Sequence, residues 1–256
     1  MAIDLSAAQD FVSALEIPAP RFGATATPVD VDFDAAKSQA LVVGSEVVSF
    51  VQGITAEERS DIVNAALLAQ LRAKKVMPEP AGIADLRTWY QQYFDVLSNV
   101  GFVTQQTNMQ KYHAKTEGFQ VHEAVLDVAA TLLTGSPAAL AVLASTIKAL
   151  QKMDQGSPWI TVFNRESRSA NTAHFQVSTV DRDPTGDLFI ALMSFGLEAT
   201  AKVTQVLFFK FHKNDTKIEN NAGKATINAM VLAGLRPAIS QKLVAHAADY
   251  VGQLEI

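Results

Sequence analysis

The hydrophobic pattern changes near residue 155, from helical spacing before it to strand-like runs after it. The most regular stretch runs from Ile83 to Val100. There Leu86, Trp89, Tyr90, Tyr93, Phe94 and Leu97 recur at i, i+3, i+4 and i+7, the spacing of one helix face. Upstream, Thr55-Ala56-Glu57-Glu58 forms a capping box, in which hydroxyl and carboxylate satisfy each other's orphan amides. With Ile62, Leu67, Leu68 and Leu71 it predicts a second helix that stops before Pro78 and Pro80. Two more are predicted over Val121–Thr134 and Pro137–Met153, joined by a Gly135 cap and a Pro137 start. Ala40, Leu41, Val43, Gly44, Val47, Val48 and Val51 also match helical spacing and predict a long helix capped by Asp34 and ending near Gly53. Residues 1–34 read as a short helix, Ala7 to Leu15, and an extended arm broken by Pro18, Pro20 and Pro28.

After Gly156 the predicted strands are Trp159–Phe163, His174–Ser178, Leu188–Phe195 and Val203–Phe211, with Lys217–Asn221 and Lys224–Val231 adding a final one. Leu188–Phe195 is apolar on both faces, as a central strand should be. Residues 102–117 are polar and aperiodic, a strand or long connection. Pro237 is expected to open a closing helix with Ile239, Leu243, Ala247, Val251 and Leu254 on one face. Helices followed by strands with short turns indicate an α+β fold: about five helices packed on an antiparallel, hairpin-rich sheet and closed by a C-terminal helix. One body over residues 1–256 is expected: an arm (1–34), a helical part (35–155), a strand part (156–236) and the closing helix (237–256). Two domains meeting near residue 155 are the alternative.

Composition narrows the classes. Hydrophobic residues make up 48% of the chain and charged ones 18%, enough to bury a large core and too apolar for disorder. A net charge of −5 without a basic cluster argues against nucleic-acid binding. There are no cysteines, which removes disulfides, thiolate nucleophiles and cysteine metal sites together. The N-terminal residues Met1-Ala2-Ile3-Asp4-Leu5 lack the basic and apolar regions of a conventional signal peptide, and no ordinary transmembrane helix is expected.

Motif chemistry gives little. Ala222-Gly223-Lys224-Ala225 fails as a phosphate loop, because Ile218 stands where the first Gly belongs and Ala225 replaces the Ser or Thr. His122-Glu123 lacks the second His, which is Leu126 here. The five histidines (113, 122, 174, 212 and 246) are scattered and are expected in ordinary surface or half-buried roles. Asp181 to Asp187 has ligand-like spacing for calcium, but Leu192 replaces the bidentate Glu, and Asp-Pro-Thr-Gly is hairpin-turn chemistry. The sequon Asn214-Asp215-Thr216 also reads as a turn. No catalytic residue, cofactor or metal ligand is assigned, and the aromatic stripe at 86–97 is expected in the core.

One feature remains. Val128 to Ile147 is 20 residues without a charge, two helical arms meeting at Gly135-Ser136-Pro137. Each arm reaches roughly 15 Å, half a bilayer's hydrocarbon, so the pair could dip into a membrane but not span it. Leu132, Leu133, Leu140, Val142 and Leu143 are the candidate contact residues for a lipid membrane or a second copy of the chain, with burial in the core as the competing role. Helices followed by apolar hairpins resemble the layout of secreted bacterial toxins and virulence factors, without a family motif. A non-enzymatic, membrane-associating or self-assembling protein of that kind is the expected function. An enzyme whose site is assembled from dispersed residues is the alternative.

Overall fold

The computed structural model describes residues 4–20, 31–104, 109–112, 120–154, 156–169, 171–200, 203, 205–208, 216–244, 246 and 250–254. The fold is α+β, built on a nine-stranded mixed sheet. Strands β1 (Gln39–Val43), β2 (Glu46–Phe50), β3 (Phe102–Thr104), β6 (Thr172–Arg182), β7 (Leu188–Ala199), β8 (Thr216–Ile227) and β9 (Val251–Leu254) lie in the order β3-β8-β7-β6-β2-β1-β9. Two short strands, β4 (Gln110–Lys111) and β5 (Arg168–Ser169), pair with β8 and β6.

Most of the sheet is antiparallel as expected, but β2 runs parallel to β6, with Glu46 opposite Gln176 and Phe50 opposite Val180. A parallel pair requires a crossover, and everything between β2 and β6 supplies it. The strands are apolar on both faces, so both faces are covered. Leu41, Val43, Val48 and Phe50 pack with α1 (Leu5–Ala14), α2 (Ala56–Val76), α3 (Ile83–Asn99) and α7 (Ala229–Leu243). The alternate residues Ala40, Val42 and Val47 pack with α4 (Val121–Leu132), α5 (Pro137–Lys152) and α6 (Pro158–Ser167). The helices thus divide into a layer on each side of the sheet.

The predicted helices from Thr55, Ile83, Val121 and Pro137 all form, and the Thr55–Glu58 capping box is present in both directions. Four expectations are corrected. The helix predicted from Asp34 to Gly53 is instead the β1–β2 hairpin, closed by Gly44-Ser45. Every residue of both strands is buried, so no alternation betrays them, and the valine-rich composition carries the β signal. The strand predicted at Trp159–Phe163 is α6, started by the Ser157 cap and Pro158 at its first turn, and it buries Ile160, Phe163 and Ser167. The closing helix begins at Ala229 under an Asn228 cap that accepts from the Val231 amide, so Pro237 lies inside it, and the chain then returns to the sheet as β9. Val203 and residues 205–208 are irregular, although Val203, Val206 and Leu207 are buried. The rest of that predicted strand, His113, His212 and most of the sequon lie outside the described residues.

Three arginine–carboxylate forks tie these layers together. Arg182 holds Glu58 at the start of α2 (2.6 and 2.8 Å), Arg236 of α7 holds Asp61 (2.7 and 2.9 Å), and Arg87 of α3 holds Glu219 on β8 (2.9 and 2.6 Å). A fourth arginine, Arg59, is fully buried and donates to the carbonyls of Ile54, Lys37 and Val51 and to Gln39 Oε1, fixing the ends of the first hairpin.

The Gly44 turn yields a first prediction. Gly44 has φ +56°, and a Cβ there would collide with Gln70 Oε1. Gly186 also has positive φ but open space around it. Gly186→Ala should cost about 1–2 kcal/mol for its backbone conformation alone. Gly44→Ala should cost about 1–3 kcal/mol more, because it also displaces a buried hydrogen-bonding amide. Urea unfolding of the two variants measures the difference.

Candidate functional site

The sheet face toward α2 and α3 carries polar side chains where a core residue would be expected. On β6, His174, Gln176 and Ser178 face that way, and Glu46 joins them from β2. Glu46 is fully buried, and its carboxyl accepts from Tyr93 Oη (2.7 Å), Ser178 Oγ (2.6 Å) and Gln70 Nε2 (3.5 Å). Burial pushes its pKa up, and these three donors pull part of the way back. Tyr90 Oη lies 3.0 Å from the Phe175 carbonyl and 2.7 Å from that of Phe195, and it accepts from Gln176 Nε2 at 3.1 Å. Ser45 completes the chain: its amide donates to Gln70 Oε1, and its hydroxyl lies 3.2 Å from that oxygen and 3.0 Å from Gln176 Oε1.

The aromatic stripe of α3 is therefore core, as its spacing predicts, but its tyrosines also carry hydroxyls into this network. Trp89 stacks on Tyr93, with ring centroids 5.6 Å apart, and packs against His174 at 4.4 Å.

At one end of the network is a cavity of about 50 Å³, lined by side chains from distant parts of the chain. Ser45, Gln70, Trp89 and His174 form its inner wall, and Lys74, Arg165, Glu166 and Arg168 bring charge to it. Glu166 bridges Lys74 and Arg165, each at 2.6 Å, and both cations lie over the Tyr250 ring, 5.7 and 6.0 Å from its centre. His174 is 7% exposed, and its Nδ1 has no hydrogen-bond partner among the described residues. Burial drives its pKa down from 6.5 to about 3, so the ring is neutral. The sequence places His174 in an ordinary surface or half-buried role; the structure instead buries it, where α2, α6 and β6 converge.

The Ser45 hydroxyl is committed to its two glutamines.

The uncharged helical pair is α4 and α5. Of the candidate contact residues, Leu133 and Leu143 are buried at 1% and 0% exposure, in the core beneath the sheet with Ala129, Ala139 and Ile147. Leu132, Leu140 and Val142 are half-buried and pack against the same cluster. The outward face between residues 128 and 147 includes exposed Ala130, Thr131, Thr134, Ala138, Ala141, Ala144 and Ser145. The Gly135-Ser136-Pro137 turn also forms one wall of an open groove of about 770 Å³, whose other wall is the β6–β7 turn with Lys224 over Phe189. That β6–β7 turn is the hairpin turn expected at residues 181–187. Asp183 Oδ1 accepts from the Thr185 amide and hydroxyl and from the Asp187 amide, and Gly186 has φ +91°.

No described helix is long and apolar enough to cross a membrane. Among the described residues no group of three or more His, Asp or Glu is placed to hold a metal ion.

No protein-family model and no curated protein sequence matches the chain. Among solved structures, one titled delta-endotoxin is similar at a TM-score of 0.38 and 12% identity, over 85% of this chain and 96% of that one. One titled structure of the Evf virulence factor is similar at 0.33 and 13%, over 85% and 84% of the two chains. Neither likeness lends a role to any residue here.

The buried His174 and Glu46 titrate in opposite senses. His174 has a folded pKa of about 3 against 6.5, so the unfolded chain binds the extra proton between those values. Stability should fall as pH drops from 6.5 toward 3, by up to about 1.4 kcal/mol per pH unit from this group. Urea melts of His174→Gln across that range should show a shallower slope, whatever the variant costs at pH 7. Glu46 is raised, so its contribution is complete below the ordinary glutamate range and declines as pH rises above it. Glu46→Gln should accordingly compare better with the parent at pH 8 than at pH 4 in the same melts.

Proposed function

We propose that this protein is non-enzymatic and works through a contact surface, associating with a lipid membrane or with copies of itself, in the manner of a bacterial toxin or virulence factor. One observation carries the reading: between Glu123 and Asp127 at one end and Lys148 and Lys152 at the other, the outward face of α4 and α5 is exposed, free of charge over the 20 residues 128–147, and built from small side chains. An ordinary solvated helix face carries Lys, Glu, Asp or Arg. Alanine, threonine and glycine instead allow another surface to approach the backbone closely.

The leucines refine the reading. Leu133 and Leu143 are already used by the core, so contact through the folded hairpin is made by the small outer residues with partial help from Leu132, Leu140 and Val142. Such a face suits a second protein surface, or shallow contact at the lipid headgroups. Deeper insertion requires the hairpin to leave the sheet.

The experiment places charge on each face. Ala138→Lys and Ala141→Lys should leave stability within about 0.5 kcal/mol of the parent and abolish liposome flotation or oligomers. Leu133→Lys and Leu143→Lys should destabilise the fold by several kcal/mol, since each buries an unpaired charge. Light scattering and flotation with anionic vesicles read the first pair, and thermal melts the second. Association that survives both alanine substitutions places the contact elsewhere and overturns this reading.

The alternative, an enzyme with a dispersed site, draws on the cavity at His174, where residues from five separate elements meet around a neutral imidazole.

A further inference from the structure

We infer that the edge of β1 is an acceptor site for the C-terminal strand of a second copy of this chain, so that β9 is exchanged between two molecules. β9 lies at the end of the sheet and joins it through β1, over four pairs that run from Ala40 with Leu254 to Val43 with Val251. Two contacts anchor its entry. The Gly44 amide donates to the Tyr250 carbonyl at 2.7 Å, and the Tyr250 ring, 6% exposed, lies under Lys74 and Arg165. These partners come from β1, its turn, α2 and α6, and none comes from α7 or the connection that delivers the strand. The seat therefore does not depend on which molecule supplies β9, and the same contacts form when a second copy supplies it.

The second observation is what β1 becomes when β9 leaves. Ala40, Leu41, Val42 and Val43 are fully buried, and the strand carries no charge or proline to protect an open edge. An opened molecule must recapture a strand, its own or a neighbour's. Because β9 is short and last in the sheet, its release is a local opening that leaves the other strands paired. Seven residues, 244–250, join α7 to β9, and at roughly 3.3–3.6 Å per residue they extend to about 24 Å. That span carries the strand to a neighbour lying alongside. Two reciprocal exchanges close a two-fold dimer that keeps every pairing of the monomer.

The exchange does not use the α4–α5 face and does not rest on the reading proposed for it. The test is run in the Ala138→Lys/Ala141→Lys chain, which removes contact through that face. The chain has no cysteine, so introduced ones report alone. One sample carries Ala40→Cys and another Leu254→Cys, opposite each other in the register. The two are unfolded in urea, refolded together at about 1 mM, where a second copy competes with a tethered strand, and then oxidised. A disulfide between the two different chains should appear on a non-reducing gel, and refolding at about 10 μM should give at least tenfold less. The double variant, refolded dilute, should close within one chain and run as a monomer. Should that pair not close, Val42→Cys with Gly252→Cys, the next pair on the same face, replaces it. Light scattering of the cysteine-free chain refolded at about 1 mM should show dimers that persist on dilution, since their return requires β9 to open again. Should neither pair close, light scattering decides alone. A double variant that closes while the single variants never join, or a refolded chain that stays monomeric, would overturn the assignment.

Discussion

The parallel pairing of β2 with β6 is the constraint on which the rest of the architecture depends. Among the described strands it is where the N-terminal hairpin, with β9 beside it, meets the meander β6-β7-β8. Without it the apolar faces of both halves would have no common plane, and the two helical layers would have nothing to sandwich. The joint is also where the polar network sits: Glu46 from β2 meets Ser178 from β6, and Gln70 and Tyr93 close on it from the helices above. A buried glutamate in that position contributes less to raw stability than an apolar residue of similar size would. It makes one register satisfy four polar groups together, and a slip of one residue would bury them all without partners.

The two sides of the sheet therefore do different work. Toward α4, α5 and α6 the interior is almost wholly apolar, with the stacked rings of Phe175 and Phe195 at 5.0 Å, and its buried polar contact is Ser49 with Thr146. That side leaves its helices' outer face to be defined by small uncharged residues. Toward α2 and α3 the interior is a mixed environment in which Ser45, Gln70, Tyr90, Tyr93, Gln176, Ser178 and the Glu46 carboxyl are matched. The cavity opens where that matched network runs out, at His174.

Much of the helical architecture was legible in the sequence, because capping boxes and aromatic stripes are local signals. Thr55 and Glu58, and the 86–97 stripe, needed no tertiary context to be read. The first hairpin was not legible, since residues buried on both faces show none of the alternation that marks a strand. Gly44 between two valine-rich runs was the surviving clue, and helical spacing of the same valines hid it. Trp159–Phe163 failed for the opposite reason: its residues favour strands, yet Ser157 and Pro158 set a helix start, and packing of Ile160 and Phe163 won. The cavity was invisible for a deeper reason. Gln70, Lys74, Arg165 and His174 have no sequence relation to one another, and what relates them is the crossover itself.

The end of the sheet where β1 lies between β2 and β9 also has a history in time. β1 pairs at once with β2 through a two-residue turn, yet its other neighbour is β9, so that Ala40 faces Leu254. The second neighbour of β2 is β6, likewise distant in sequence. A chain emerging from a ribosome therefore carries a finished, valine-rich hairpin with both flanks open until most of the sequence has been made. Pairings at such separation pay their loop entropy before they return any contact energy, which makes folding slow. During that interval the hairpin is the segment most able to pair with the wrong strand, its own or a neighbouring chain's. The rate at which β6 arrives thus sets how long this protein remains vulnerable to aggregation, independently of how stable it becomes once folded.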